Sequence, residues 1–258
     1  MVVDSHAHLT LPQFDKDRRT VIERARKTGL EHIITVGLGV EDCRKALMVA
    51  EEYDFISVAV GVHPHDTKTI DEKAYSVLKD LTSHEKVVAI GEIGLDFYRN
   101  LSPREIQVEH FRKQLHLARE VSLPVIIHDR DAHHEVVTIL REEQAETIGG
   151  VIHCFSGDWS MAEACLDLGF YLSIPGTITF RDSGPYQDLV KKLPLNRLLV
   201  ETDCPFLTPR PFRGKRNEPA HVCYVAQTLA RLKQMDVSEV AEITTHNAQK
   251  IFNIVLPY

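Results

Sequence analysis

The chain begins MVVDSHAHL, and His6 and His8 lie one residue apart in an apolar run. If that run is a strand, both imidazoles point the same way along with Asp4, because alternate side chains of a strand share a face. Two imidazoles so placed suit a pair of metal ligands. Other runs of Val, Ile and Leu end in the same kind of residue: GVHPH carries His63 and His65, IGEIGLD carries Glu92 and Asp96, VIIH ends in His128, GVIH ends in His153, and VETD carries Glu201 and Asp203. Taken singly, each has an ordinary reading as a hydrogen-bonded core histidine, a helix cap or an arginine partner. Charged and imidazole groups inside an apolar core are costly unless paired, so His6, His8, Glu92, His128, His153 and Asp203 gathered at one place point to a cation. Nitrogen and carboxylate donors without thiolate suit a hydrolytic divalent ion such as Zn²⁺, Mn²⁺ or Mg²⁺. Six ligands exceed what one catalytic ion with an open position uses, so two divalent ions sharing a carboxylate are expected.

Gathering those residues requires a particular set of elements. Short β-branched runs at 2–8, 32–37, 56–62, 87–93, 124–128, 150–154, 170–174 and 198–203 alternate with segments of helical period at 15–28, 41–53, 72–81, 103–121, 132–142, 159–168 and 185–192, and helices at 218–234 and 238–254 close the chain. Nearly continuous apolar strands separated by helices read as a parallel sheet covered on both faces. Eight such units predict an α/β fold of the (β/α)8 TIM barrel type, one domain over 1–258, with an open doubly wound sheet as the alternative. No G-x-G-x-x-G follows the first strand, and no low-complexity stretch or Pro/Gly/Ser-rich linker divides the chain. Barrel enzymes build their sites at the C-terminal strand ends, which is where the candidate donors fall.

A formal charge of -7 means that the chain as a whole does not attract polyanions, so any nucleic-acid binding is local. Five scattered cysteines without C-x-x-C spacing suggest reduced thiols rather than disulfides or a thiolate zinc site. No apolar stretch is long enough for a membrane helix, and the N-terminus lacks the basic-then-apolar pattern of a secretion signal, so a cytoplasmic protein without a membrane partner is expected. No obligate protein partner is evident.

The motifs DSHAHL, GVHPH, IGEIGLDFYR, PVIIHDRDA, GVIHCFSG, VETDCPFL, PFRGKRNEP and HNAQKIF span nearly the whole chain in one order. In them the chain resembles the TatD-type deoxyribonucleases, metal-dependent hydrolases of the amidohydrolase-like barrel superfamily. Carried over by position, the metal ligands of that family fall on the same six residues. A mild departure is Cys204, where many members have serine; packing beside Asp203 is expected of it.

The resemblance implies a division of labour. His6, His8 and Asp203 hold one ion, His128 and His153 the other, and Glu92 bridges them. A metal-activated hydroxide cleaves a phosphodiester of DNA, with Asp203 as the proton acceptor, and a recessed mouth suits an exonuclease acting on strand ends. Glu201, two residues before Asp203, is expected to stand behind a ligand histidine. The segment 209–218 is basic, which places Arg213 and Arg216 as phosphate contacts, and His63 and His65 are further candidates for substrate phosphates. Tyr98, Phe97 and Phe212 are candidates for stacking on bases. His84, His116, His246, His133 and His134 are given no chemistry. The alternative is an amide or ester hydrolase with a binuclear centre, such as a D-aminoacyl-tRNA deacylase. Such barrels commonly bridge their metals with a carbamylated lysine, and the glutamate on strand four favours the nuclease. A binding module without activity is a third reading, disfavoured by a donor set that leaves coordination positions open.

Overall fold

Eight parallel strands follow one another around a single sheet: β1 (Val2–Ala7), β2 (Leu30–Val36), β3 (Ile56–Val60), β4 (Val87–Asp96), β5 (Val125–Arg130), β6 (Gly150–Ile152), β7 (Tyr171–Ile174) and β8 (Leu198–Val200). This computed structural model describes residues 2–256. Between and after the strands run α1 (Arg18–Lys27), α2 (Val40–Glu51), α3 (Glu72–Leu81), α4 (Arg104–Val121), α5 (His133–Glu142), α6 (Trp159–Asp167), α7 (Gly184–Lys192), α8 (Val222–Lys233) and α9 (Val237–Phe252). The ring closes just beyond β8. Asp203 N donates to His6 O and His8 N to Cys204 O, each at 2.9 Å, while the Asp4 carboxylate takes Thr202 N at 2.8 Å and Thr202 Oγ1 at 2.6 Å in place of a backbone acceptor. The fold is therefore the TIM barrel that alternating strands and helices predict.

Two apolar clusters account for its cohesion. The larger lies between the strands and the helix layer and is fed by faces such as Val136, Ile139 and Leu140 of α5. The smaller fills the barrel interior, where Val3, Ile34, Val88, Ile126, Val151 and Leu199 meet Ala248 and Phe252 of α9. Helix α9 thereby plugs the N-terminal floor, leaving polar side chains to the C-terminal mouth. Along β5 the alternation of side chains puts Ile126 in the interior, His128 above it and Arg130 at the rim. Asp71, Asp158 and Asp236 cap α3, α6 and α9 through their side-chain oxygens.

Several boundaries differ from those expected, and each for a local reason. The strands expected at 150–154 and 198–203 stop at Ile152 and Val200, because Cys154 and Asp203 adopt left-handed φ values of 46° and 53°. Strand β4 runs past the expected 93 to Asp96, whose N–H is taken by the Gln107 side chain at 2.8 Å. Helix α1 starts at Arg18 rather than 15, since the Asp15 and Asp17 carboxylates are drawn to Arg18 and Arg216 instead of capping. Helix α8 starts at Val222 rather than 218, after a 3-10 turn at Pro219–His221.

Candidate metal centre

Strand β4 positions the central carboxylate. Its pairing with β5 is irregular between Ile90 and Ile93, and this bulge contains Gly91 and Glu92. A Cβ on Gly91 would lie 2.6 Å from Cβ of Ile126, and one on Gly94, at φ 135°, would lie 2.1 Å from His128 O. The glycines of IGEIG thus let β4 press against β5 and aim Glu92 inward.

Glu92 has its two oxygens in two different groups of donors. Oε2 lies 3.3 Å from His6 Nε2 and 3.7 Å from His8 Nε2. Those two nitrogens are 3.2 Å apart, and Asp203 Oδ1 sits 3.2 Å from His8 Nε2 and 4.0 Å from His6 Nε2. Oε1 instead faces His128 Nδ1 at 2.5 Å, His153 Nε2 at 3.4 Å and His63 Nε2 at 3.6 Å. Ligands about 2.0–2.1 Å from a tetrahedral zinc ion are separated by roughly 3.3–3.4 Å, so the first group has the spacing of a coordination shell. His6, His8 and Asp203 form one potential metal-holding cluster, and His63, Glu92 and His128 another.

The charge state of the cluster favours a cation. Burial pushes the Glu92 carboxyl up, but His153, His63, His128 and His6 outweigh it and hold Glu92 well below the ordinary carboxylate value. Asp203 is also held low, since burial is outweighed by His8, His153 and His6. Burial disfavours the imidazolium forms of His128 and His153, yet Glu92 and Asp96 lift His128 to about 9, while Glu201 and Glu92 lift His153 to about 10. Without metal, protons on imidazoles balance the buried carboxylates, and a divalent ion takes that place by displacing them.

Three of the donor histidines are held from behind. His128 Nε2 lies 3.3 Å from Asp96 Oδ2, His153 Nδ1 lies 3.0 Å from Glu201 Oε1, and His8 Nδ1 lies 3.3 Å from Val36 O. Carboxylates behind ligand imidazoles fix the ring orientation and raise its basicity. Buried nitrogen and oxygen donors, at coordination spacing and backed in this way, fit divalent ions.

A family model described as TatD related DNase matches residues 3–253. The chain belongs to the TatD-related DNase family. A Bacillus subtilis relative named as the metal-dependent hydrolase YabD is 51% identical over 254 residues, covering 98% of this chain and 100% of the relative. An Edwardsiella piscicida protein named 3'-5' ssDNA/RNA exonuclease TatD is 38% identical over 259 residues, covering 98% of this chain and 100% of its own length. The solved Escherichia coli TatD homologue YJJV superposes with a TM-score of 0.92 at 32% identity over 98% of both chains. The protein is accordingly a metal-dependent hydrolase.

In this TatD-family protein the remaining candidates divide. His63 belongs to the donor cluster by position, whereas His65 Nε2 is bound to Asp96 Oδ2 at 2.7 Å. Glu201 also takes Cys154 N at 2.8 Å, so it supports the loop after β6 as well as His153. Arg216 departs from the phosphate role expected of it. Its guanidinium makes a bidentate pair with Asp17 at 2.7 Å, reaches Gln13 O and Glu218, and lies over the Phe14 ring, so it staples the loop after β8 to the start of α1. Asn217 completes that anchor by donating to Thr202 O and Phe206 O. Arg213 is exposed, with its guanidinium 4.2 Å from the Phe180 ring centroid. Phe212 is packed between His221 and Tyr224 and offers no platform, while the exposed Phe206 stands 6.2 Å from the His8 ring. Sequence reasoning did not single out Asp96 as a support or Phe206 as a mouth residue. The IGEIGLD motif held a signal for the first, since Asp96 lies four residues past Glu92 at the same strand end; the second had none beyond lying next to ETDCP. The cysteines are free, and among the described residues no helix is long and apolar enough to cross a membrane.

Proposed function

We propose that the protein hydrolyses phosphodiester bonds at the ends of single-stranded DNA with two divalent ions, Zn²⁺, Mn²⁺ or Mg²⁺, joined by Glu92. The observation that carries this reading is the split of the Glu92 oxygens, Oε2 toward His6 and His8 and Oε1 toward His128 and His153. His6, His8 and Asp203 would hold one ion and His128 and His153 the other, with His63 close enough to Oε1 to join the second set. Ions bound there supply Lewis acidity, making water acidic enough to attack phosphorus and offsetting charge on the phosphoryl oxygens.

The chain's own residues do the rest. The Asp203 side chain is 13% exposed, against 2% for Glu92 and Asp96 and 0% for Glu201, so it is the carboxylate of the cluster that a water in the mouth reaches. Held ionised by His8, it accepts the proton of the attacking water. Glu201 and Asp96 keep His153 and His128 oriented. The recessed site beneath the loops suits a strand end, and the name of the Edwardsiella relative supports a single-stranded substrate.

The test is the product pattern from end-labelled single-stranded DNA, with Mg²⁺, Mn²⁺ or Zn²⁺ supplied to stripped protein. Mononucleotides released progressively from one end are expected. Internal cleavage would remove the exonuclease assignment. An intact strand alongside hydrolysis of an amide or carboxylic ester would favour the acyl-hydrolase alternative.

A further inference from the structure

Among the described residues the aromatic side chains that stand exposed are Tyr98 at 60%, Trp159 at 45% and Phe206 at 47%. They follow β4, β6 and β8, so all lie on the catalytic face, and the other described rings are buried or half-buried. An apolar ring left in water forgoes its burial free energy, and confining such rings to the face with the metal donors points to a ligand that covers them.

Two of these rings are tied to the centre by geometry. Phe206 meets the ring of His8 edge to face at a centroid distance of 6.2 Å, and the Asn217 side chain holds the Phe206 carbonyl at 2.6 Å, which fixes the loop that carries the ring. On the other side of the mouth, Tyr98 lies under the guanidinium of Arg130, with Cζ 4.6 Å from the ring centroid. Arg130 is the residue after next from His128 on the same face of β5, and Phe97 N bonds to its carbonyl at 2.9 Å, which joins the loop after β4 to this strand end. The ion pairs among the described residues leave Arg130 without a carboxylate, in contrast to Arg216 with Asp17 and Arg112 with Glu143. A guanidinium held over a ring face with no carboxylate partner has N–H groups to offer phosphate oxygens.

We propose that Tyr98 and Phe206 are stacking platforms for unpaired nucleobases on opposite sides of the metal centre, and that Arg130 binds the phosphate next to the base on Tyr98. This rests on the nuclease reading above and adds its substrate contacts. Stacking accepts any base, because each has a π face, so the mouth selects single strands by exposure of their bases and is indifferent to sequence. Paired bases in a duplex are stacked on one another and offer no such face to the rim.

The experiment measures binding of the metal-loaded protein to a labelled phosphorothioate oligo(dT), which resists cleavage, and to the same backbone without bases. Wild type binds oligo(dT) more tightly than the abasic strand. Tyr98→Ala and Phe206→Ala each weaken oligo(dT) binding by about 5- to 100-fold and reduce or abolish the preference over the abasic strand, while binding of the abasic strand itself is retained. Arg130→Gln weakens both strands and lowers the slope of log K against log salt by about 0.7. Equal binding of the two strands by wild type, or unchanged binding in the variants while labelled DNA is still degraded, overturns the rim contacts and leaves the nuclease reading standing. A wild-type protein that neither binds nor cleaves either strand overturns both.

Discussion

At the floor of the barrel, His32 meets Ser57 Oγ at 2.9 Å, and burial, with Lys86 and Arg26 nearby, drives its imidazole down to about 4. At the mouth of the same barrel His153 is as fully buried and His128 half-buried, yet carboxylates lift them to about 10 and about 9. The floor has one neutral ring, paired with a hydroxyl and, among the described residues, with no carboxylate. The mouth gathers Glu92, Asp96, Glu201 and Asp203 around a ring of imidazoles. The difference teaches that burial alone does not set the state of a histidine here: the companions do, and the companions at the mouth demand positive charge.

The largest effect should come from the residue that both halves of the mouth share. Glu92→Gln keeps the shape but removes the charge, and turnover should fall by more than the roughly 10–100-fold typical of losing a carboxylate behind a ligand, with the circular dichroism spectrum unchanged. Asp203→Asn should retain at least one ion by metal analysis and lose about 10²-fold or more in kcat; wild-type kcat in the loaded variant would remove Asp203 from the chemistry. Asp96→Asn and Glu201→Gln should each weaken metal binding by about 10–100-fold, read by competition with a chelating dye, because their effect passes through His128 and His153.

Metal affinity should also depend on pH in a direction fixed by the mouth. At pH 7 the metal-free protein carries protons on His128 and His153, which an incoming ion must displace. Affinity should therefore rise with pH, by about one decade per unit for each displaced proton, and level off above about 9–10. Calorimetry in buffers of different ionisation enthalpy counts the released protons. The floor should respond in the same direction, but on stability rather than metal binding, at lower pH and more weakly. His32 has a folded value of about 4 against an ordinary 6.5, so between these values the unfolded chain binds the extra proton and stability is lost as pH falls. His32→Gln should flatten that acid limb of the Tm curve and leave metal binding untouched.

Much of this contrast is written in the sequence, and the reason is periodicity. The strands are short apolar runs, so a single His, Glu or Asp at the end of each is conspicuous, and the barrel rule converts strand ends into one mouth. What periodicity does not encode is which side chain meets which across the ring. Asp96 becomes a support for His128 only because β4 continues past a bulge and pairs Asp96 with Arg130 in register. His63 approaches Glu92 by a turn beyond β3. The basic segment after β8 reads as a phosphate grip from its composition, but Arg216 finds Asp17, far away in the chain, and becomes a staple. The same pairing draws Asp17 away from capping and contributes to the late start of α1, while a 3-10 turn delays α8; a helical pattern alone places both several residues early.

The central claim is that Glu92 divides the mouth into two ion sites. Crystals grown with Mn²⁺ and measured at the manganese absorption edge test it most directly. Two anomalous peaks about 3.5–4 Å apart are expected, one touching Glu92 Oε2 with His6 and His8, the other touching Oε1 with His128 and His153. A single peak in fully active protein, or two peaks with Glu92 bound to only one of them, would contradict it.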